Sequence, residues 1–284
     1  MDPLLVTYGL NLAYQLAVLA LVVLGLGIVF GMLGIMNMAH GEFVMLGAYC
    51  AVAVQQAGLP LPLALPLAVI VCGATGWLAE RLLIRPLRDR PFDTLLATWG
   101  LSILIRKAVE AWFGRGYQSI EHGMTGTSQV LGADYPTYRL ALLATIVVAL
   151  AAIALWYRRS PAGARLQAMV ANPALAQALG FDTRAMGRNA FVIGVASAGV
   201  AGVMLAPLVR IEPYMGLDYL LNGFFVLVVG GLGSLAGLFA GTGIIGGTQV
   251  LVSSLLDQTF GYLAVLLVAI GFLWLKPDGL VART

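Results

Sequence analysis

Gly31-Met32-Leu33-Gly34-Ile35-Met36-Asn37-Met38-Ala39-His40-Gly41-Glu42 lies between two long apolar runs, so it falls at or within membrane depth. Three glycines, an amide, an imidazole and a carboxylate share its twelve residues. Backbone in lipid must be hydrogen-bonded internally, so an interrupted helix is tolerated only where protein or a watery cavity covers it. Polar side chains at that depth mark a pathway. A plainer reading coexists with this one: Asn37 caps one helix and Glu42 opens the next at a membrane surface.

The rest of the chain supports membrane depth. Sixty per cent of residues are hydrophobic and 10% are charged, against about 25% charged in soluble domains. The uncharged runs at 3–41, 43–79, 140–157, 189–209, 219–256 and 258–275 each hold at least one spanning helix of about 20 residues. We therefore expect one all-α polytopic membrane domain over residues 1–284, with about eight or nine transmembrane helices and glycine-interrupted or re-entrant segments in both halves. The first run is too long for a signal peptide and reads as mature structure. The net charge of +3 sits in loops and is no nucleic-acid signal. Cys50 and Cys72 both fall in apolar segments and read as buried thiols.

Working outward, spans are expected at Tyr8–Phe30, Phe43–Ala57, Leu63–Ile84, Phe92–Phe113, Tyr138–Tyr157 and Asn189–Val209, with Tyr262–Leu275 in the last. Arg85, Arg88 and Arg90, with Arg81, place their loop in the cytoplasm by the positive-inside rule. Asp93, Thr94, Thr98 and Ser102 recur at helical intervals and make one face of the fourth span polar. Arg106 and Lys107 are expected to snorkel toward the far interface. Residues 114–137 read as a solvated external connector.

Residues 158–188 form the longest cytoplasmic loop. Within it, Asn172-Pro173-Ala174-Leu175-Ala176-Gln177-Ala178-Leu179-Gly180 encodes a short helix: Asn at the N-cap, Pro at the first turn, Gly just past the end. Its small apolar residues suit a groove on another protein, or a fold back onto the membrane domain. Gly194, Ser197, Gly199 and Gly202 give the following span a small-residue face. Gly230, Gly231, Gly233 and Ser234 open a second interrupted region. Such interruptions in both halves point to a central translocation site in repeat-built transporters.

No catalytic or metal-binding set is legible. His40 and His122 are the only histidines, and Lys107 and Lys276 the only lysines. Neither lysine lies in a phosphate-binding Gly-x-x-x-x-Gly-Lys-Ser/Thr loop, so any ATP site belongs to another subunit. His40, Glu42, Glu80 and Asp93 are the few candidates for a coupling-ion relay, which leaves a stand-alone channel or proton-coupled carrier as the reading from another class.

Gly34 to Glu42, with Met45-Leu46-Gly47-Ala48-Tyr49, resembles the signature of bacterial ABC importer permeases for branched-chain amino acids. Gly163, Arg165, Ala168, Asn172, Ala176 and Gly180 resemble that family's ATPase-docking loop, and Lys276-Pro277-Asp278-Gly279-Leu280 its C-terminal motif. Met36 and Met38 depart from the commoner residues there, which alters packing only. The stretch from Arg85 to Ser102 resembles a sub-branch that moves urea and short amides, and makes urea the expected cargo with branched-chain amino acids as the alternative.

The resemblance implies a bacterial inner-membrane subunit that pairs with a second homologous permease, two cytoplasmic ATPases holding ATP and Mg, and a periplasmic binding protein, within membrane lipids. No cofactor is implied for the chain itself. Asn37, His40, Gly41, Glu42, Thr98, Gly230, Gly231, Gly233 and Ser234 would line or gate the passage. Asn172, Pro173, Ala174, Leu175, Ala176, Leu179 and Gly180 would carry the coupling to the ATPase.

Overall fold

The computed structural model describes residues 2–88, 90–121, 126–231, 233–276 and 279–281. His122, Leu232, Pro277, Asp278 and Arg283 lie outside them. Local chemistry sets the helix starts. Asp2 accepts from Leu4 N at 3.0 Å ahead of α1 (Pro3–Leu33), and Ser160 from Gly163 N ahead of α6 (Pro161–Ala171). Asn172, Asp182, Ser234 and Asp257 cap α7 (Pro173–Ala178), α8 (Thr183–Leu205), α10 (Leu235–Leu255) and α11 (Gln258–Leu275) in the same way. Each side chain satisfies an amide that the helix start leaves without a partner.

The other helices are α2 (His40–Gln56), α3 (Ala64–Ala79), α4 (Pro91–Phe113), α5 (Thr137–Arg159) and α9 (Gly216–Gly230). A five-residue π turn over Glu80–Ile84 ends α3, closed by Arg85 N donating to Glu80 O at 2.8 Å. Six helical stretches among the described residues are long and apolar enough to cross a bilayer: Pro3–Leu33, Leu61–Ile84, Thr137–Arg159, Thr183–Leu208, Leu235–Leu255 and Gln258–Leu275. The apolar α9 is shorter. α4 has the length but carries Arg106, Lys107 and Glu110 in its last third. The chain is thus a multi-pass helical membrane protein.

α8 is the hub, packed against α1, α2 and α3. Its small face lets backbones touch. A Cβ on Gly202 would sit 1.9 Å from Val44 O of α2, and one on Gly199 2.5 Å from the Cys72 sulfur of α3. Without a hydrophobic drive between helices in lipid, close van der Waals contact of this kind holds the bundle. Arg88 lies against Gly187 at the start of α8, next to Leu33 at the end of α1. The arginines of residues 81–90 and 158–188 therefore share one end of the bundle, the basic end.

One expectation changes here. Residues 114–137 are not a plain connector: Thr127–Val130 (β1) and Ala133–Pro136 (β2) pair as an antiparallel hairpin. Tyr135 is buried and its hydroxyl donates to Asn11 Oδ1 at 2.9 Å. Gln118 also pairs with Ile211 through two backbone hydrogen bonds. The segment is a cap over the bundle, so the fold is mainly rather than wholly α.

Candidate translocation path and coupling surface

α1 stops at Gly34, whose positive φ of 65° lets its N–H close on Phe30 O at 2.8 Å. The chain then doubles back into the bundle. Asn37 Oδ1 accepts from Ala39 N at 3.1 Å and Met38 N donates to Thr98 Oγ1 at 3.2 Å. His40 donates through Nε2 to Val22 O at 3.0 Å, which fixes the first residue of α2 beside the middle of α1. α2 thus begins at membrane depth, with its free amides covered by protein as lipid requires. Asn37 forms a local turn and does not cap α2, whose N-cap is Ala39.

Glu42, 2% exposed, is the charge of this joint. Its carboxylate accepts from Ser102 Oγ at 2.9 Å and is ion-paired with Arg106. The Arg106 guanidinium also lies 5.0 Å from the Tyr214 ring, ahead of α9. Arg106 therefore does not snorkel as the sequence suggested: a buried carboxylate offers its charge more than the interface does, and its side chain is only 12% exposed. Gly41 meets the first residue of α9 so closely that a Cβ there would sit 1.9 Å from Gly216 O. Asn37, His40, Gly41, Glu42 and Thr98 are all buried in this joint between α1, α2, α4 and α9. They line neither of the two cavities that follow.

The second interruption is built differently. Gly231 and Gly233 take positive φ values of 99° and 86°, and Ser234 Oγ accepts from Gly237 N at 3.2 Å. Leu280 N and Val281 N donate to Val229 O and Gly230 O at 3.0 and 3.1 Å, so a short segment past α11 satisfies the end of α9. Gly230 and Gly231 are buried there, while Gly233 and Ser234 are half-buried on a cavity.

That cavity, about 690 Å³, opens at the basic end and is mostly apolar. Gly31, Met32, Trp156, Leu166, Phe181 and Leu235 are among its walls. A second, more polar cavity of about 760 Å³ lies toward the opposite end of the same helix, where Asn11, Gln15 and Leu19 of α1 face Asn222 of α9 and Gln249 of α10. Along α1 the two are separated by the stretch from Leu19 to Leu24, about 7–8 Å of helix. Val22 and Val23 are buried there, and Gly223 packs on the side chains of Val23 and, just past the stretch, Leu26. Two opposed cavities with an apolar barrier between them have the form of a closed conduit.

At the basic end, α7 presents a divided surface. Ala176, 1% exposed, packs in a small cluster with Met32, Met169 and Ala190. Leu175 and Leu179 point outward, 56% and 65% exposed, one turn apart. Asn172, Pro173, Ala174 and Gly180 are also exposed. The helix is both folded onto its own domain and open on its other face. Among the described residues no group of His, Cys, Asp or Glu is arranged to hold a metal.

Comparison with known proteins places this architecture. The family described as "Branched-chain amino acid transport system / permease component" matches residues 8–274, and the chain belongs to that family. It is 29% identical to the high-affinity branched-chain amino acid transport system permease protein LivH of Salmonella typhimurium, over 93% of this chain and 91% of LivH. It is 25% identical to BraD of Pseudomonas aeruginosa over the same shares. It is also 25% identical to LivM of Salmonella typhimurium, over 99% of this chain and 72% of LivM. No solved structure matches it. The chain is a transport permease of the ABC type and not an enzyme.

Sequence reasoning found both interruptions and the short helix, and missed the Glu42–Arg106 pair and the polar cavity. The first had a signal. Thr94, Thr98, Ser102 and Arg106 recur every four residues, so the stripe on α4 ran straight into the arginine.

Proposed function

We propose that this chain is one of two membrane subunits of an ATP-driven importer that moves branched-chain amino acids across a bacterial cytoplasmic membrane. The observation that carries this is similarity over nearly the whole chain to relatives named as permeases of branched-chain amino acid transport. Similarity to LivM as well as LivH suits a pair of homologous permeases. Urea remains the second cargo, on the strength of the stretch from Arg85 to Ser102.

The basic end faces the cytoplasm in this reading, as the arginine loops favour. There, Leu175 and Leu179 enter a groove on a partner ATPase, with Ala176 anchoring α7 to the chain's own bundle. A push on α7 reaches Met32, near the end of α1, through the shared cluster and bears on the cavity beside Gly233 and Ser234. ATP binding and hydrolysis occur on the partner subunits, and a periplasmic binding protein delivers the cargo. The test is purification in mild detergent with identification of the co-purifying proteins, followed by uptake of leucine, isoleucine, valine and urea in membranes with and without the chain. Recovery of an ATPase and a second permease, with leucine uptake that depends on the chain and on ATP, is expected. ATP-independent flux through the chain alone would overturn the reading.

A further inference from the structure

The polar cavity has a chemistry that the conduit form alone does not require. Arg210 on the loop before α9 and Asp218 in the first turn of α9 both line it. Neither has a hydrogen-bond or ion-pair partner among the described residues, and they do not pair with each other. The amides of Asn222 and Gln249, on α9 and α10, are likewise without partners. The other arginine of the wall is engaged: Arg139 reaches Asn11 Oδ1 at 3.4 Å and stacks over Tyr14. The same wall also carries aliphatic side chains, Val18 and Leu19 from α1 and Val250 from α10. The volume of about 760 Å³ lies within the usual range of ligand pockets.

Among the described residues one unpaired cation, Arg210, shares this wall with two unpaired carboxylates, Asp218 and Glu212, and with aliphatic side chains, a set that matches a ligand carrying both charges and an apolar body. We infer that this cavity is a transit site for a zwitterionic α-amino acid with an aliphatic side chain. The Arg210 guanidinium takes the carboxylate, the Asp218 carboxylate takes the ammonium, and the side chain lies on Val18, Leu19 and Val250. This rests on the branched-chain reading above and adds the site and its residues. Urea would leave the charges and the aliphatic side chains of the wall without a counterpart. Both charged groups are exposed, so each contact is screened and weak. Weak binding suits a conduit, where a solute must enter and also leave.

The experiment uses the complete complex in right-side-out membrane vesicles. Cys50 and Cys72 are buried and give little background, so an Asn222→Cys substitution supplies the reporter. A membrane-impermeant methanethiosulfonate is expected to label it, and leucine or isoleucine to slow the labelling. Leucinamide, which lacks the carboxylate, and 4-methylpentanoate, which lacks the ammonium, are expected to need about tenfold higher concentrations for the same protection, as is leucine after Arg210→Gln. Leucine that gives no protection while the thiol is labelled, or protection unchanged by Arg210→Gln, overturns the site. If the thiol at 222 is not labelled, Gln249→Cys on the facing helix repeats the test, and silence at both positions also overturns it. Leucine uptake by the same vesicles separates the two claims. Uptake without protection rejects the site alone, whereas protection and uptake by urea and not leucine reject the branched-chain reading.

Discussion

Replacing Gly202 by alanine tests the contact on which the bundle turns. The new Cβ would lie 1.9 Å from Val44 O and 2.9 Å from Ala48 N, both backbone atoms of α2. Backbone cannot rotate away as a side chain does, so α8 and α2 must separate by about 1.5 Å to bring the first distance to an ordinary contact near 3.4 Å. Alanine favours the helical state by about 1 kcal/mol over glycine, whereas overpacking a filled interface costs about 1–3 kcal/mol and sometimes more. Two helices that part also lose dispersion contacts along their length. The expected net effect is a loss of about 1–3 kcal/mol. Gly243→Ala on α10 is the control, because nothing lies within 4 Å of its Cβ position; it should be neutral or stabilising by up to about 1 kcal/mol. The assay is denaturation of each purified chain in mixed micelles, followed by circular dichroism. A Gly202→Ala chain as stable as the unaltered one, with full uptake, would refute backbone contact between α2 and α8.

Three further outcomes follow from the geometry. Glu42→Ala leaves Arg106 without its counter-charge and should cost about 3–5 kcal/mol, much of it recovered when Arg106→Met is added; a single substitution without effect on the same unfolding assay rejects the joint. Leu175→Asp with Leu179→Asp should abolish co-purification of the ATPase while shifting stability by less than about 0.5 kcal/mol, whereas Ala176→Phe should lower stability by about 1–3 kcal/mol; retained co-purification by the double variant rejects the docking face. Val23→Ser puts a hydroxyl into the apolar layer between the cavities and should raise ATP-independent leucine flux into liposomes. Unchanged flux would show that the barrier lies elsewhere.

How much of this was legible depended on whether the physics was local. Caps such as Asn172 with Pro173, and the glycines at 34, 231 and 233, act within a few residues, so the helix starts and both interruptions stood in the sequence. The α4 stripe was visible through Thr94, Thr98 and Ser102, yet Arg106 was assigned to the interface because its partner Glu42 lies 64 residues away. The hairpin escaped for another reason. Its two-residue turn is Leu131-Gly132, with φ values of 49° and 86°, and both positive angles belong to a turn type that usually announces itself with asparagine or aspartate before glycine. The polar cavity was out of reach altogether, since the few amides, Asn11 and Gln15 on α1, Asn222 on α9 and Gln249 on α10, are scattered over three apolar helices until those helices converge.

That convergence also separates the roles of two interruptions that look alike in sequence. At the first, side chains from α4 supply what the broken backbone lacks: Thr98 takes an amide, and Ser102 and Arg106 hold the carboxylate of the new helix. Four helices meet there, so moving that joint would strand a buried charge and several buried polar groups without their partners. At the second, the end of α9 is satisfied by backbone pairing with Leu280 and Val281, while Gly233 and Ser234 border the basic-end cavity and Gly233 packs close against Gly31. A shift there exchanges a few backbone contacts next to a void. The cluster under α7 includes Met32, one residue from Gly31, so under the proposed docking a push on α7 would arrive beside the second interruption. The first interruption is therefore held by a buried charge pair, whereas the second is joined through backbone contacts beside a cavity.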